Sequence, residues 1–121
     1  MTSPITCHVL DSALGRPAEG VEVRLELLSD RDDGTNSSEL LGTGQTNADG
    51  RCTSLLPSSH TLTSASSYRL TFLTGPYFAR DARKTFYPRV EILFTVSEPA
   101  EKHYHVPLLL SPFGYTTYRG S

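Results

Sequence analysis

Val21-Glu22-Val23-Arg24-Leu25-Glu26-Leu27 sets apolar and charged residues in strict alternation. A period of two marks a strand with one buried face and one wet face, because successive side chains leave a strand on opposite sides. Val90, Ile92, Phe94 and Val96 repeat the pattern. An amphipathic helix needs apolar residues three and four apart over ten or more positions. The chain offers a turn or two at most, over 77–84, where Ala79, Arg80, Ala82 and Lys84 favour helix.

Outward from residues 21–27, turn chemistry divides the chain at near-regular intervals. Gly15-Arg16-Pro17 follows a strand expected over 5–10. A polar stretch over 29–39, holding Asp33-Gly34, precedes one around 40–46. Asn47-Ala48-Asp49-Gly50 then turns the chain into a strand over 52–56. The Ser- and Thr-rich residues 58–67 read as a loop, and strands follow over 68–74, 89–97 and 103–110, with a short one at 115–118. The fold class is therefore all-β: a two-sheet antiparallel β-sandwich of seven to eight strands with one short helix. At 121 residues the chain forms a single domain, 1–121.

Charge and composition narrow the function. Eleven Lys and Arg against thirteen Asp and Glu leave a net charge of −2, which gives no electrostatic footprint for nucleic acid or acidic membranes. The apolar run Val106 to Leu110 is too short to span a bilayer. The N-terminal residues lack the basic and apolar stretches of a secretory signal, so a cytoplasmic protein with reduced Cys7 and Cys52 is expected. A peroxisomal location is the alternative, although Arg119-Gly120-Ser121 is not a Ser-Lys-Leu type address.

Three of the four histidines fall on predicted strands. His103 and His105 project from one face, with Tyr104 and Val106 on the other, and His8 shares a face with Thr6 and Leu10. His60, in the serine-rich loop, reads as a solvated surface residue. The spacing of His103 and His105 fits three readings. One is a polar face on an edge strand, favoured by Pro107, which cannot donate to a ladder. Another is two corners of a zinc site. The third is general acid–base chemistry, suited to the near-neutral pKa of imidazole. Cys7 stands beside His8, but adjacent strand residues point apart, which argues against a thiolate nucleophile. Gly-x-Ser-x-Gly is absent from the sequence.

Several segments resemble the transthyretin family. His8-Val9-Leu10-Asp11, Gly15-Arg16-Pro17-Ala18 and Val21-Glu22-Val23 are similar to its first signature, and Tyr104 to Tyr115 to its second. The ending Tyr118-Arg119-Gly120-Ser121 resembles that of the family's enzyme branch, which hydrolyses 5-hydroxyisourate. The resemblance implies an eight-stranded transthyretin-like sandwich with one short helix. It also implies a homotetramer, a dimer of dimers with active sites where the dimers meet. The implied substrate is a small molecule, 5-hydroxyisourate, opened to 2-oxo-4-hydroxy-4-carboxy-5-ureidoimidazoline in purine breakdown, with no metal or cofactor. Carried over by position, the implied catalytic residues are His8, Arg51 and His105. Tyr118, Arg119, Gly120 and Ser121 are the implied substrate-binding residues. His103 lies just outside the signature and is expected beside the site or on the surface. The rival reading is a binding protein of the same fold, as in the hormone-carrying members, without hydrolase activity.

Overall fold

The structure is a computed structural model that describes residues 2–30 and 36–121. Nine strands and one helix are formed among these residues. They are β1 Ile5–Asp11, β2 Arg16–Pro17, β3 Glu22–Asp30, β4 Asn36–Gln45, β5 Arg51–Cys52, β6 Ser67–Phe72, α1 Thr74–Ala79, β7 Val90–Thr95, β8 Tyr104–Ser111 and β9 Gly114–Thr117. One sheet runs β2-β1-β8-β9, with β5 also paired to β1; the other runs β4-β3-β6-β7.

The alternation read from the sequence decides which faces meet. Ile5, Cys7 and Val9 of β1 and Val106, Leu108 and Leu110 of β8 turn inward. They pack against Val23 and Leu25 of β3, Leu70 and Phe72 of β6, and Val90 and Ile92 of β7. Burial of such aliphatic side chains contributes about 1.5–3 kcal/mol each. The even-numbered residues of β1, Thr6, His8 and Leu10, are thereby set on the opposite face of the first sheet.

The architecture departs from the expected one in several places. The sandwich is mostly antiparallel, but β1 and β8 pair in parallel over their whole length, from Ile5↔Tyr104 to Asp11↔Leu110. Parallel neighbours need a long crossover, and here the entire second sheet lies between them in sequence. The count of seven to eight strands rises to nine with β2, a two-residue strand that pairs with β1 on the same side as the equally short β5. The strand expected over 52–56 is therefore only Arg51–Cys52. Of the polar stretch over 29–39, residues 29–30 belong to β3 and 36–39 to β4, and Asp33-Gly34 lies outside the described residues.

The helix comes earlier than 77–84. Thr74, Gly75 and Pro76 open it, where proline's missing N–H costs nothing, and it buries Tyr77 and Phe78. It stops because Ala82 takes a left-handed φ of 59°. The Ala82 N–H then bonds the Ala79 carbonyl at 3.2 Å and the Arg83 N–H bonds that of Phe78 at 3.0 Å, a left-handed helix cap. Helix-forming residue types at 82–84 were outweighed by that cap.

Arg83 reaches from the cap to Asp11 at the end of β1. Asp11 is fully buried and accepts from Arg83 Nη2 at 2.8 Å, Tyr77 Oη at 2.8 Å and the Leu14 N–H at 3.0 Å. Burial opposes ionisation, but these donors outweigh it and hold the carboxyl below its usual range. The stability this gives is present above the ordinary carboxylate pKa and is lost as pH falls through the depressed value. Asp11→Ala takes the buried acceptor from Tyr77 and leaves Arg83 with Asp81, and is expected to cost about 3 kcal/mol. Urea unfolding at matched concentration would measure it, and a loss below about 1 kcal/mol would remove this pin between helix and sheet.

Candidate active site

The site is assembled from the first sheet by register. His8 of β1 lies directly opposite Arg51 of β5, and Thr6 of β1 is paired with His105 of β8. Residues opposite each other across strands share a face, so Arg51, His8, Thr6 and His105 stand together on the side away from the core.

The Asn47–Gly50 turn supplies Arg51. Asn47 Oδ1 accepts from the Asp49 N–H at 2.9 Å and from the Arg51 N–H at 3.0 Å, which folds the turn on itself. Gly50 has φ of 78°, and a Cβ there would sit 2.3 Å from the Val9 carbonyl oxygen, so no larger residue fits. The same turn aims the Asp49 carbonyl at His8, whose Nε2 lies 2.8 Å away. A carbonyl only accepts, so His8 Nε2 carries a proton and donates it.

At the other end of the row, Thr6 Oγ1 is 2.8 Å from His105 Nδ1 and 2.9 Å from His103 Nε2. The His103 and His105 rings stack with centroids 6.2 Å apart, and His8 lies 6.4 Å from His105. His105 is half-buried. Burial first, then the positive charge of Arg51 and the neighbouring His103 and His8, hold its pKa below the ordinary imidazole value. A neutral imidazole at that position is able to accept a proton.

The chain's own end closes onto this row. The Gly120 N–H donates to the His105 carbonyl at 2.9 Å, an isolated bridge beyond the last β9 pair. Pro107 occupies the gap between them, its carbonyl accepting from Thr117 Oγ1 at 2.8 Å. Pro107 is thus in an interior strand, with β1 on one side and the tail on the other, and the edge-strand reading is overturned. The missing N–H is tolerated where the ladder is already broken.

Of the residues expected from the sequence, His8, Arg51, His105 and Gly120 are brought together, and Ser121 follows directly. Tyr118 is exposed. The Arg119 guanidinium is turned to the other side of the tail, pairing with Glu101 and lying 4.8 Å over the Tyr104 ring. His60 is half-buried, its N–H bonded to the Pro57 carbonyl, and not fully solvated as expected. Cys7 and Cys52 are free, buried and paired across β1 and β5 on the core side. The Cys7 thiol donates to Cys52 and is buried, and both effects push it up, so it is no nucleophile. Among the described residues no group of three His, Cys, Asp or Glu is placed to hold a metal. Sequence reasoning missed Thr6 and the Asp49 carbonyl. Thr6 had a signal, its two-residue offset from His8; the carbonyl had none.

A β-sandwich with histidines and an arginine in register on an outer sheet face, closed by its own C-terminus, belongs to the transthyretin-type class. The description of the HIUase/Transthyretin family matches residues 5–120, and the chain is a member of that family. It is 45% identical over 120 residues to mouse 5-hydroxyisourate hydrolase, covering 99% of this chain and 97% of the relative. Klebsiella pneumoniae 5-hydroxyisourate hydrolase superposes with a TM-score of 0.77 at 39% identity, covering 98% and 99% of the two chains. Sea bream transthyretin, solved with thyroxine, superposes with a TM-score of 0.83 at 30% identity, covering 98% and 95%. Backbone likeness is thus no weaker to this transthyretin than to the hydrolase, and the decision falls to the side chains.

Proposed function

We propose that this chain hydrolyses 5-hydroxyisourate to 2-oxo-4-hydroxy-4-carboxy-5-ureidoimidazoline in urate breakdown. The observation that carries the reading over a carrier of the same fold is the half-buried His105 beside Arg51 and His8, with Gly120 bonded to its backbone. Opening a cyclic amide needs a water deprotonated, an oxyanion stabilised and a ring nitrogen protonated. His105, held neutral, takes the proton from water. Arg51 and the His8 side chain, fixed by the Asp49 carbonyl, bind the substrate and its developing charge. Tyr118, Arg119, Gly120 and Ser121 close over the substrate, which requires Arg119 to leave Glu101.

The row lies on the outer face of the first sheet, with Arg51 exposed and His8 and His105 half-buried, and one chain provides its floor. Leu14, Phe86, Leu93, Phe113 and Tyr115 are large apolar side chains left exposed on the single chain. These features support a homotetramer, a dimer of dimers with the site faces opposed. Dilution through the tetramer-to-dimer transition should then abolish activity while the subunits stay folded. Activity constant per subunit through that transition would remove the shared site.

Carbon-13 NMR of labelled urate, oxidised in place by urate oxidase, tests the reaction. The chain should speed conversion of 5-hydroxyisourate to the ring-opened carboxylate; conversion at the spontaneous rate with folded protein would refute it. The pH profile carries the electrostatics. Because burial, Arg51, His103 and His8 depress the His105 pKa, kcat/KM should stay high below the ordinary imidazole value of about 6.5 and fall only at lower pH. Arg51→Gln should move that acid limb upward as well as slowing the reaction. An acid limb above the ordinary value in the unmodified protein would contradict the neutral base.

A further inference from the structure

Thr6 is 3% exposed, and its hydroxyl oxygen lies within hydrogen-bond distance of two imidazoles, His105 Nδ1 at 2.8 Å and His103 Nε2 at 2.9 Å. A hydroxyl has one proton and two lone pairs. It cannot donate to both rings, so at least one ring nitrogen donates to it. His105, held neutral among Arg51, His8 and His103, has a single N–H. With that proton on Nε2, the ring would offer a donor where water must lose a proton. With it on Nδ1, the ring offers a lone pair. Among the described residues His105 Nε2 has no hydrogen-bond partner, so none of them holds a proton there.

We propose that Thr6 is the positioning residue of His105. The His105 Nδ1–H donates to Thr6 Oγ1, the Thr6 hydroxyl donates to His103 Nε2, and the His105 Nε2 lone pair is left for the reacting water. This arrangement rests on the hydrolase reading above and selects the base within it. The proton inventory closes over one turnover. Water gives a proton to His105 Nε2 as its oxygen bonds the substrate carbonyl carbon. The imidazolium returns that proton to the ring nitrogen as the carbon–nitrogen bond breaks. Nδ1–H stays on Thr6 in both states, so the relay is never remade during catalysis. His103, expected beside the site or on the surface, becomes the acceptor that orients the Thr6 hydroxyl.

The test uses the full-length protein with ¹⁵N-labelled histidine. At neutral pH, two-bond ¹H–¹⁵N correlations should show the His105 proton on Nδ1. Thr6→Val, nearly the same shape without the hydroxyl, should lose that preference and lower kcat about tenfold with little change in KM. Thr6→Ser should restore both the tautomer and most of the rate. Equal melting temperatures for the variants would separate positioning from damage to the sheet. A His105 proton on Nε2 in the unmodified protein would overturn the proposal, as would a Thr6→Val variant with unchanged tautomer and kcat. The tautomer is read without substrate, so an absence of hydrolysis by the unmodified protein would sink the proposed function and leave this assignment to be decided by the spectrum.

Discussion

Replacing His105 by asparagine is expected to lower kcat/KM for 5-hydroxyisourate by ~10²–10⁴-fold, about 3–5 kcal/mol of barrier. Asparagine is a demanding replacement because its amide reaches about as far as Nδ1 and keeps a partner for Thr6 Oγ1, while nothing occupies the place of Nε2. The backbone is spared too, since Gly120 bonds the His105 carbonyl and not its ring. Fold, tail and assembly should therefore survive, and the loss should fall on kcat. Stopped-flow ultraviolet absorbance on protein checked for unchanged oligomeric state would measure it. A loss smaller than about threefold would mean that another group takes the proton from water, with His8 next in the row.

Gly120→Val should be nearly as damaging, for a geometric reason. A Cβ at Gly120 would come 2.9 Å from His105 Cδ2 and 3.2 Å from Pro107 Cγ. Both neighbours belong to β8, which is locked between β1 and β9, so the tail must give way. Lifting the tail breaks the Gly120–His105 bridge and carries Ser121 away from the histidines. A displacement near 1 Å typically costs about 10²-fold in rate. The tail adds no core contact, so thermal stability of the subunit should change little. Glu101→Gln separates the bridge from the tail's other anchor: it removes the ion pair with Arg119 yet leaves the bridge and every tail residue unchanged. A Gly120→Val variant with unaltered kcat/KM would show that the tail is not part of the site.

Much of this molecule was legible in its residues, and the failures have identifiable causes. Alternation at Val21 to Leu27 fixed a strand and its inward face because period two is a local property of the chain. Asn47 to Gly50 was readable as a turn because Asn, Asp and Gly are turn-forming residues, and the structure adds that only glycine fits against the Val9 carbonyl. Pairing is not local. Nothing in β1 or β8 announces that they run parallel, and Pro107 pointed to an edge because its ladder gap is created by a tail ten residues further on. The helix was displaced by a left-handed alanine at residue 82, where composition favoured continuation. In the site, His8, Arg51 and His105 followed from resemblance, and the register then explains how they meet. Thr6 shares a strand face with His8, so its presence was deducible. That it bridges two imidazoles required knowing which strand lies beside β1.

The most direct test of the account compares the unmodified protein with a His8→Asn/Arg51→Gln/His105→Asn variant in one stopped-flow experiment. The substrate is 5-hydroxyisourate generated by urate oxidase, and both proteins are held at the same oligomeric state. The account predicts accelerated decay with the unmodified chain and decay at the spontaneous rate with the folded triple variant. Equal acceleration by both proteins would place the chemistry elsewhere on the molecule and contradict the assignment of this sheet face.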